Sequence, residues 1–206
     1  LFKLLPDKSK ILDLGCGNGE IAEFLATQNY QVVGIDINHD AIAKNKSKSS
    51  SVEYLVGDIM QSLHFPDKSF DAVVTSFVLL NMMSVREKVV AELSRVLKPG
   101  GLIWFNDALV TESYKQRYEL SRPFVDNDND FFVFKKDITS SSIQTPEQMQ
   151  AAIQNEKVVR ITHHFSLEEL KELFNDYEEI YSRQEEISSP NSKTSLNMLI
   201  AVYQLK

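Results

Sequence analysis

From Ile11 to Ala26 the chain reads ILDLGCGNGEIAEFLA, a run that commits the fold to a strand, a glycine turn and a helix in that order. Ile11, Leu12 and Leu14 make a short apolar strand. Gly15, Gly17 and Gly19 then let the backbone turn sharply and bring bare N–H groups against a ligand. Ile21, Ala22, Phe24, Leu25 and Ala26 fall at helical spacing, so the glycines lie between a strand's carboxyl end and a helix's positive end. That junction is where open α/β sheets bind ligands.

The same alternation continues down the chain. Gln31 to Ile37 (QVVGIDI) reads as a second buried strand, and Asn38 caps the helix that Ala41, Ile42 and Ala43 begin. Val52 to Val56 is a third strand, closed by Gly57 and Asp58, and Phe70 to Phe77 (FDAVVTSF) a strongly apolar fourth. Ser84 and Glu87 have the spacing of a capping box that opens a helix through Val89, Val90, Leu93, Val96 and Leu97. Lys98, Pro99, Gly100 and Gly101 stop that helix before a fifth strand, Leu102 to Leu109. Strands alternating with helices require right-handed crossovers and a parallel sheet covered on both faces.

From Thr111 the regularity stops. Residues 111–164 carry Tyr114, Tyr118, Phe124, Phe131, Phe132 and Phe134, an Asp/Asn run, and one helix expected to open at Thr145 with Pro146 in its first turn. This reads as an insertion and not a sixth strand-helix unit. Ser166 and Glu169 restart order with a capping box on LEELKELF, and Tyr177 to Ile187 and Leu196 to Leu205 form a terminal antiparallel hairpin across an exposed SSPNSKTS loop.

Composition narrows the partners. The 206 residues, 43% hydrophobic, suffice for one domain spanning 1–206. Twenty-two basic against 29 acidic residues give a net charge of -7, and Lys44, Lys46 and Lys48 are the nearest thing to a basic cluster. That argues against a nucleic-acid partner, whose phosphates demand a concentrated positive patch. One cysteine, Cys16, excludes an internal disulfide framework and fits a reducing compartment. No apolar run has the length of a membrane span and no signal-peptide pattern opens the chain, so a cytoplasmic protein without a membrane partner is expected. Leu1, Phe2, Leu4 and Leu5 read as the tail of a helix, and residues upstream of them are expected.

Two ligands compete for the Asp13–Gly19 turn. A dinucleotide fold wants G-x-G-x-x-G, but the glycines here are spaced G-x-G-x-G. The pattern D-x-G-x-G-x-G after an apolar strand resembles instead the first motif of the class I S-adenosylmethionine-dependent methyltransferases. GIDI puts Asp36 at the end of strand two, VGDI puts Asp58 after strand three, and FDAVVTSFVLL and RVLKPGGLI follow in the family's order. The resemblance covers residues 1–110 in detail and the end of the chain in outline, and is nearest to the family's small-molecule branch. It implies an α/β, Rossmann-like sheet of seven mostly parallel strands in the order 3-2-1-4-5-7-6, strand 7 antiparallel, with helices on both faces and the insertion after strand 5.

The resemblance also implies S-adenosylmethionine as cofactor, S-adenosylhomocysteine as product, and a set of contacts. A ribose offers two vicinal hydroxyls, and the Asp36 carboxylate can accept from both. Asp58 would accept from the adenine amino group while Ile37 and Ile59 sandwich the ring. Asp13 and the backbone around Gly15, Cys16 and Gly17 would hold the amino-acid end, and Ser76 and Phe77 would face it. Cys16 itself is read as a packed residue, because nothing near it in sequence activates a thiol.

Methyl transfer is an in-line displacement that needs alignment more than acid-base help, and a base only where the acceptor must lose a proton. Of His39, His64, His163 and His164, the last two end the insertion and are the candidate bases. The aromatic insertion, with Tyr114, Tyr118 and Phe132, is the candidate acceptor pocket and lid, which points to a small, partly apolar acceptor methylated at O or N. No Asn/Asp-Pro-Pro-Tyr follows strand four, which argues against the enzymes that methylate the amino groups of adenine and glutamine. The run Asp126–Asp130 with Asp137 has EF-hand-like spacing, but Phe131 stands where glycine is required and no Glu closes the loop, so no metal is expected. The alternatives are a cofactor-binding module without chemistry, such as a domain of a larger synthase, and a nicotinamide dehydrogenase.

Overall fold

The computed structural model describes residues 4–48, 51–82, 85–110, 130–134, 158–188 and 195–206. Strand β1 (Lys10–Leu14) leads through the glycine turn into helix α1 (Glu20–Thr27), β2 (Gln31–Asp36) leads into α2 (His39–Lys46), and β3 (Glu53–Val56) runs by a loop without helix to β4 (Phe70–Ser76). A 3-10 turn (Leu79–Asn81), α3 (Arg86–Val96) and β5 (Leu97–Leu109) complete the regular half. The insertion contributes β6 (Asp130–Phe134) and β7 (Val158–His163), after which come α4 (Leu167–Leu173), β8 (Tyr177–Ser188) and β9 (Ser195–Leu205).

The main sheet has seven strands in the order β3-β2-β1-β4-β5-β9-β8. β1 to β5 run parallel, β9 antiparallel to β5, and β8 antiparallel to β9. Since β8 and β9 are the sixth and seventh strands of this sheet, the order is the expected 3-2-1-4-5-7-6. β1 is buried at every residue after Lys10, without alternation, because both of its faces are covered. On one face α1 and α2 set Ala22, Leu25 and Ile42 among Ile11, Val32 and Val74. On the other, α3 and α4 set Val89, Leu93 and Leu170 among Leu12, Val73 and Phe105. The Phe105 ring meets Phe165 and Phe174 edge-on, at centroid distances of 5.7 and 5.6 Å. Among the described residues no helix is long and apolar enough to cross a membrane.

Local chemistry explains most element ends. Asn38 caps α2 by accepting from the backbone N–H groups of Asp40 and Ala41, and Ser166 and Glu169 close the expected capping box on α4. Three expectations need correction. α3 starts at Arg86 with Val85 at its N-cap and no side-chain cap, so the Ser84–Glu87 box does not open it, and Ser84 lies outside the described residues. The LKPG stretch ends the helix as expected but is already extended, because Leu97 pairs with Phe70 ahead of an irregularity in the β4–β5 ladder.

The insertion also contains the strand pair β6–β7, antiparallel, with Asp130 opposite His163 and Phe132 opposite Ile161. The apolar residues after the Asp/Asn run are strong strand formers, and their partner segment begins more than twenty residues further on, where no local pattern announces it. Tyr114, Tyr118, Phe124 and the helix expected at Thr145 lie outside the described residues. The chain returns to the main sheet through Phe165, whose N–H donates to Ala108 O and whose C=O accepts from Val110 N, both at 2.9 Å.

Candidate cofactor site

The glycine turn is fixed by bonds that no neighbour in sequence supplies. The N–H groups of Gly15 and Cys16 both donate to Ile35 O, at 2.8 and 3.0 Å, so the turn hangs on the end of β2. Gly15 has φ +69°, and a Cβ there would lie 2.6 Å from Val78 Cγ2. A side chain is excluded at that position by backbone and space alike. Behind the turn, the fully buried Asn45 of α2 donates from Nδ2 to Gly17 O at 2.8 Å. Lys48 Nζ donates to Asn18 O at 2.6 Å, and Tyr54 OH donates to Glu23 Oε1 at 2.7 Å. α2 and β3 therefore brace a turn that belongs to β1.

In front of the turn, at the carboxyl edge of the sheet, lies a groove of about 240 Å³. Gly15, Asp36, Ile37, Asp58 and Ile59 line one part of it, and Phe77, Val78, Asn81 and Met82 another. Asp36 Oδ2 accepts from Gly17 N and Oδ1 from Asn38 N, each at 2.8 Å, so the carboxylate is held rigidly with lone pairs to spare. Asp58 Oδ1 accepts from Met60 N at 2.9 Å. Ile37 is 59% exposed, Met60 45% and Phe77 43%, and all three face this one groove. Apolar side chains gathered in this way beside two carboxylates suit a flat, partly apolar group that carries hydroxyl and amino donors.

Asp13 lies beneath the turn and not in the groove wall. It is 2% exposed, and burial pushes its carboxyl up to about 7 against the pull of the Ala22 backbone N–H. Its Oδ2 meets no donor among the described residues. Cys16 is buried against Gly34, whose missing Cβ would lie 3.0 Å from Sγ, and burial pushes its thiol up to about 12. That matches its reading as a packing residue. Ser76 is half-buried beside the groove and bonded to Asn106 at 2.9 Å.

His164 is buried at the carboxyl end of β5 and does not line the groove, and the His163 side chain lies outside the described ones. β7, on which His163 sits, lies against the 3-10 turn that carries Asn81. The sequence reading missed Asn45, Tyr54, Asn81, Met82 and Asn106. Only the pair Asn81-Met82 had a local signal, its position directly after strand four.

Residues 12–105 match the family model described as a methyltransferase domain. The crystal structure of a SAM-dependent methyltransferase from Methanosarcina mazei superposes with a TM-score of 0.77 at 25% identity, covering 98% of this chain and 95% of that one. Residues 12–105 are thus a methyltransferase domain, on the fold of the class I S-adenosylmethionine-dependent methyltransferases.

Relatives of this methyltransferase domain act on different acceptors. A sterol 24-C-methyltransferase from Gibberella zeae is 35% identical over 112 residues, 51% of this chain and 29% of its own length. A fatty-acid O-methyltransferase from Mycolicibacterium smegmatis is 37% identical over 105 residues, 48% of this chain and 37% of its own. The methyltransferase chain thus spans less than half the length of the curated relatives it matches.

Proposed function

We propose that this methyltransferase transfers a methyl group from S-adenosylmethionine to the oxygen or nitrogen of a small, partly apolar acceptor. The carrying observation is the groove at the Gly15 turn, where Asp36 and Asp58 stand at the ends of adjacent strands with Ile37 and Ile59 beside them. Asp36 has the geometry to accept from two vicinal hydroxyls, Asp58 from an exocyclic amine, and the isoleucines to cover the two faces of a ring. Asp13, buried beneath the turn, would act on the amino-acid end through the glycine backbone that it supports.

When bound, S-adenosylmethionine supplies a methyl on a cationic sulfur: the acceptor's lone pair forms the new bond, the sulfur–carbon pair returns to sulfur, and the acceptor's proton leaves to water, by way of a base where the acceptor is a hydroxyl. The chain's own residues bind, orient and exclude water, and holding two reactants in line is worth on the order of 7 to 11 kcal/mol. The insertion at 111–164 is the acceptor lid in this reading, supported by β7 against the Asn81 turn. His163 and His164 remain the candidate bases for a hydroxyl acceptor. The sterol and fatty-acid relatives support an apolar acceptor, and the net charge of -7 supports one that is not a nucleic acid.

Calorimetry with S-adenosylhomocysteine and with NAD tests the cofactor, with binding of the first alone expected. Radiolabelled methyl transfer to a panel of fatty acids, phenols and small amines tests the acceptor. Activity confined to RNA or protein would overturn it. Cofactor binding with no transfer to any acceptor would favour the second reading, a binding module within a larger protein.

A further inference from the structure

β4 ends at Ser76, paired in the ladder opposite Asn106 of β5, which runs on to Leu109. Asn106 Nδ2 donates to Ser76 Oγ at 2.9 Å, and the next residue, Phe77, donates its N–H to Asn106 O at 2.9 Å. One residue of β5 thus holds the end of β4 through both backbone and side chain, where β4 becomes groove wall. The other end of that amide is unused: Oδ1 is buried, and among the described residues no donor reaches it.

Strand alternation places this amide. Phe105 packs in the core under α3 and α4, whereas Trp104 packs on the core under α1 and α2, so Asn106 belongs to the α1 side. Val74 and Ile11 lie on that side too, which puts Ser76 and Asp13 there by the same alternation. Asp13 and Ser76, near the carboxyl ends of β1 and β4, and Asn106, opposite Ser76 in β5, make a polar row on the α1 side. Two atoms in that row, Asp13 Oδ2 and Asn106 Oδ1, are buried acceptors without donors among the described residues. Buried acceptors are normally satisfied, so two exceptions in one row need an explanation.

The order of strands serves as a ruler. Asp36 ends β2, and from β2 the sheet runs through β1 and β4 to β5, three strand spacings or roughly 14 Å. With the nucleoside held at β2 and β3, the end of β4, and Asn106 beside it, lie toward the reacting end.

We propose that Asn106 is a specificity residue for the methyl acceptor, its Oδ1 accepting a hydrogen bond from the N–H or O–H of the atom to be methylated. This rests on the methyltransferase reading above. An amide oxygen turns the acceptor's X–H toward itself and so aims the lone pair, but it holds no proton, which leaves to water. The class selected is an amine, amide or hydroxyl, and an alkene carbon has nothing to offer Asn106.

Sinefungin tests this without a known acceptor, because it resembles S-adenosylhomocysteine with an amine-bearing carbon in place of sulfur. Its ammonium projects where the transferred methyl would be and presents N–H donors there. Calorimetry on the full chain would compare both ligands in wild type, Asn106→Leu and Asn106→Asp, with circular dichroism to verify folding. Wild type is expected to favour sinefungin roughly tenfold, the scale of one charge-assisted hydrogen bond. N106L should lose that preference while S-adenosylhomocysteine affinity stays within about twofold. N106D, nearly isosteric, should keep or enlarge it, and carries the test if N106L does not fold. A preference absent from wild type, or surviving in N106L, would overturn the proposal, as would an N106D with none, including the case of an amide that presents Nδ2. Failure of every folded variant and of wild type to bind S-adenosylhomocysteine would instead overturn the underlying reading.

Discussion

Asp36 Oδ2 accepts a hydrogen bond from the backbone N–H of Gly17 at 2.8 Å. The acidic end of β2 is therefore a brace for the glycine turn as well as a candidate ribose clamp. Replacing it with Asn puts a donor against a donor at one oxygen and removes the charge from both. Asp36→Asn is expected to weaken S-adenosylhomocysteine binding roughly 10- to 100-fold, the range for a charged hydrogen bond. Asp40→Asn, on the exposed first turn of α2, should leave the affinity unchanged. Equal losses in both variants would mean that net charge and not the clamp matters.

Asn45 grips the same turn from behind, with Nδ2 on Gly17 O at 2.8 Å and no solvent exposure. Asn45→Ala leaves a buried carbonyl without its donor, which costs about 1 to 3 kcal/mol. Urea denaturation should register that loss. Cofactor affinity should fall as well, since the turn loses its hold on α2. A variant as stable as wild type would show that water replaces the amide.

Asp13 makes stability depend on pH in an unusual direction for a carboxylate. Its folded value near 7 lies above the ordinary 3.8, so between those limits the folded state keeps a proton that the unfolded state has released. Stability from this group is whole below pH 4 and falls as pH rises toward 7, opposite to a salt-bridged aspartate. Asp13→Asn, neutral at every pH, should flatten the slope of unfolding free energy over that interval and raise stability at pH 7.5 by up to a few kcal/mol. A variant less stable than wild type at pH 7.5 would count against this account.

Phe77 sits in the left-handed region at φ +56° while its ring forms part of the groove wall. Comparing Phe77→Ala with Phe77→Gly isolates the backbone term, because both lose the ring and glycine alone tolerates the angle. Phe77→Gly should be more stable than Phe77→Ala by about 1 kcal/mol, with both binding S-adenosylhomocysteine more weakly than wild type. Thermal melts and calorimetry read the two effects separately.

Much of this is legible in sequence because it is local. The three glycines, the Asn38 cap and the Ser166–Glu169 box act within a few residues of themselves, and each forms or frames the element it announces. Asp36 and Asp58 are legible as candidates because a strand end is a position a pattern can mark, and both line the groove. The start of α3 is less legible: its N-cap is Val85, without a side-chain bond, and Ser84 lies outside the described residues.

The residues that were missed act across the sheet. Asn45 lies 28 positions from Gly17, Tyr54 lies 31 from Glu23, and Asn106 lies 30 from Ser76. Which of these meet depends on strand order and register, and periodicity within one strand says nothing about the register of the next. The order of elements, the glycine turn and the acidic strand ends follow from the chain's own local chemistry. What braces that turn, how deeply Asp13 is buried and which side chain of β5 holds the end of β4 came only with tertiary structure, because each is a contact made when β1, β2, β4 and β5 are laid side by side.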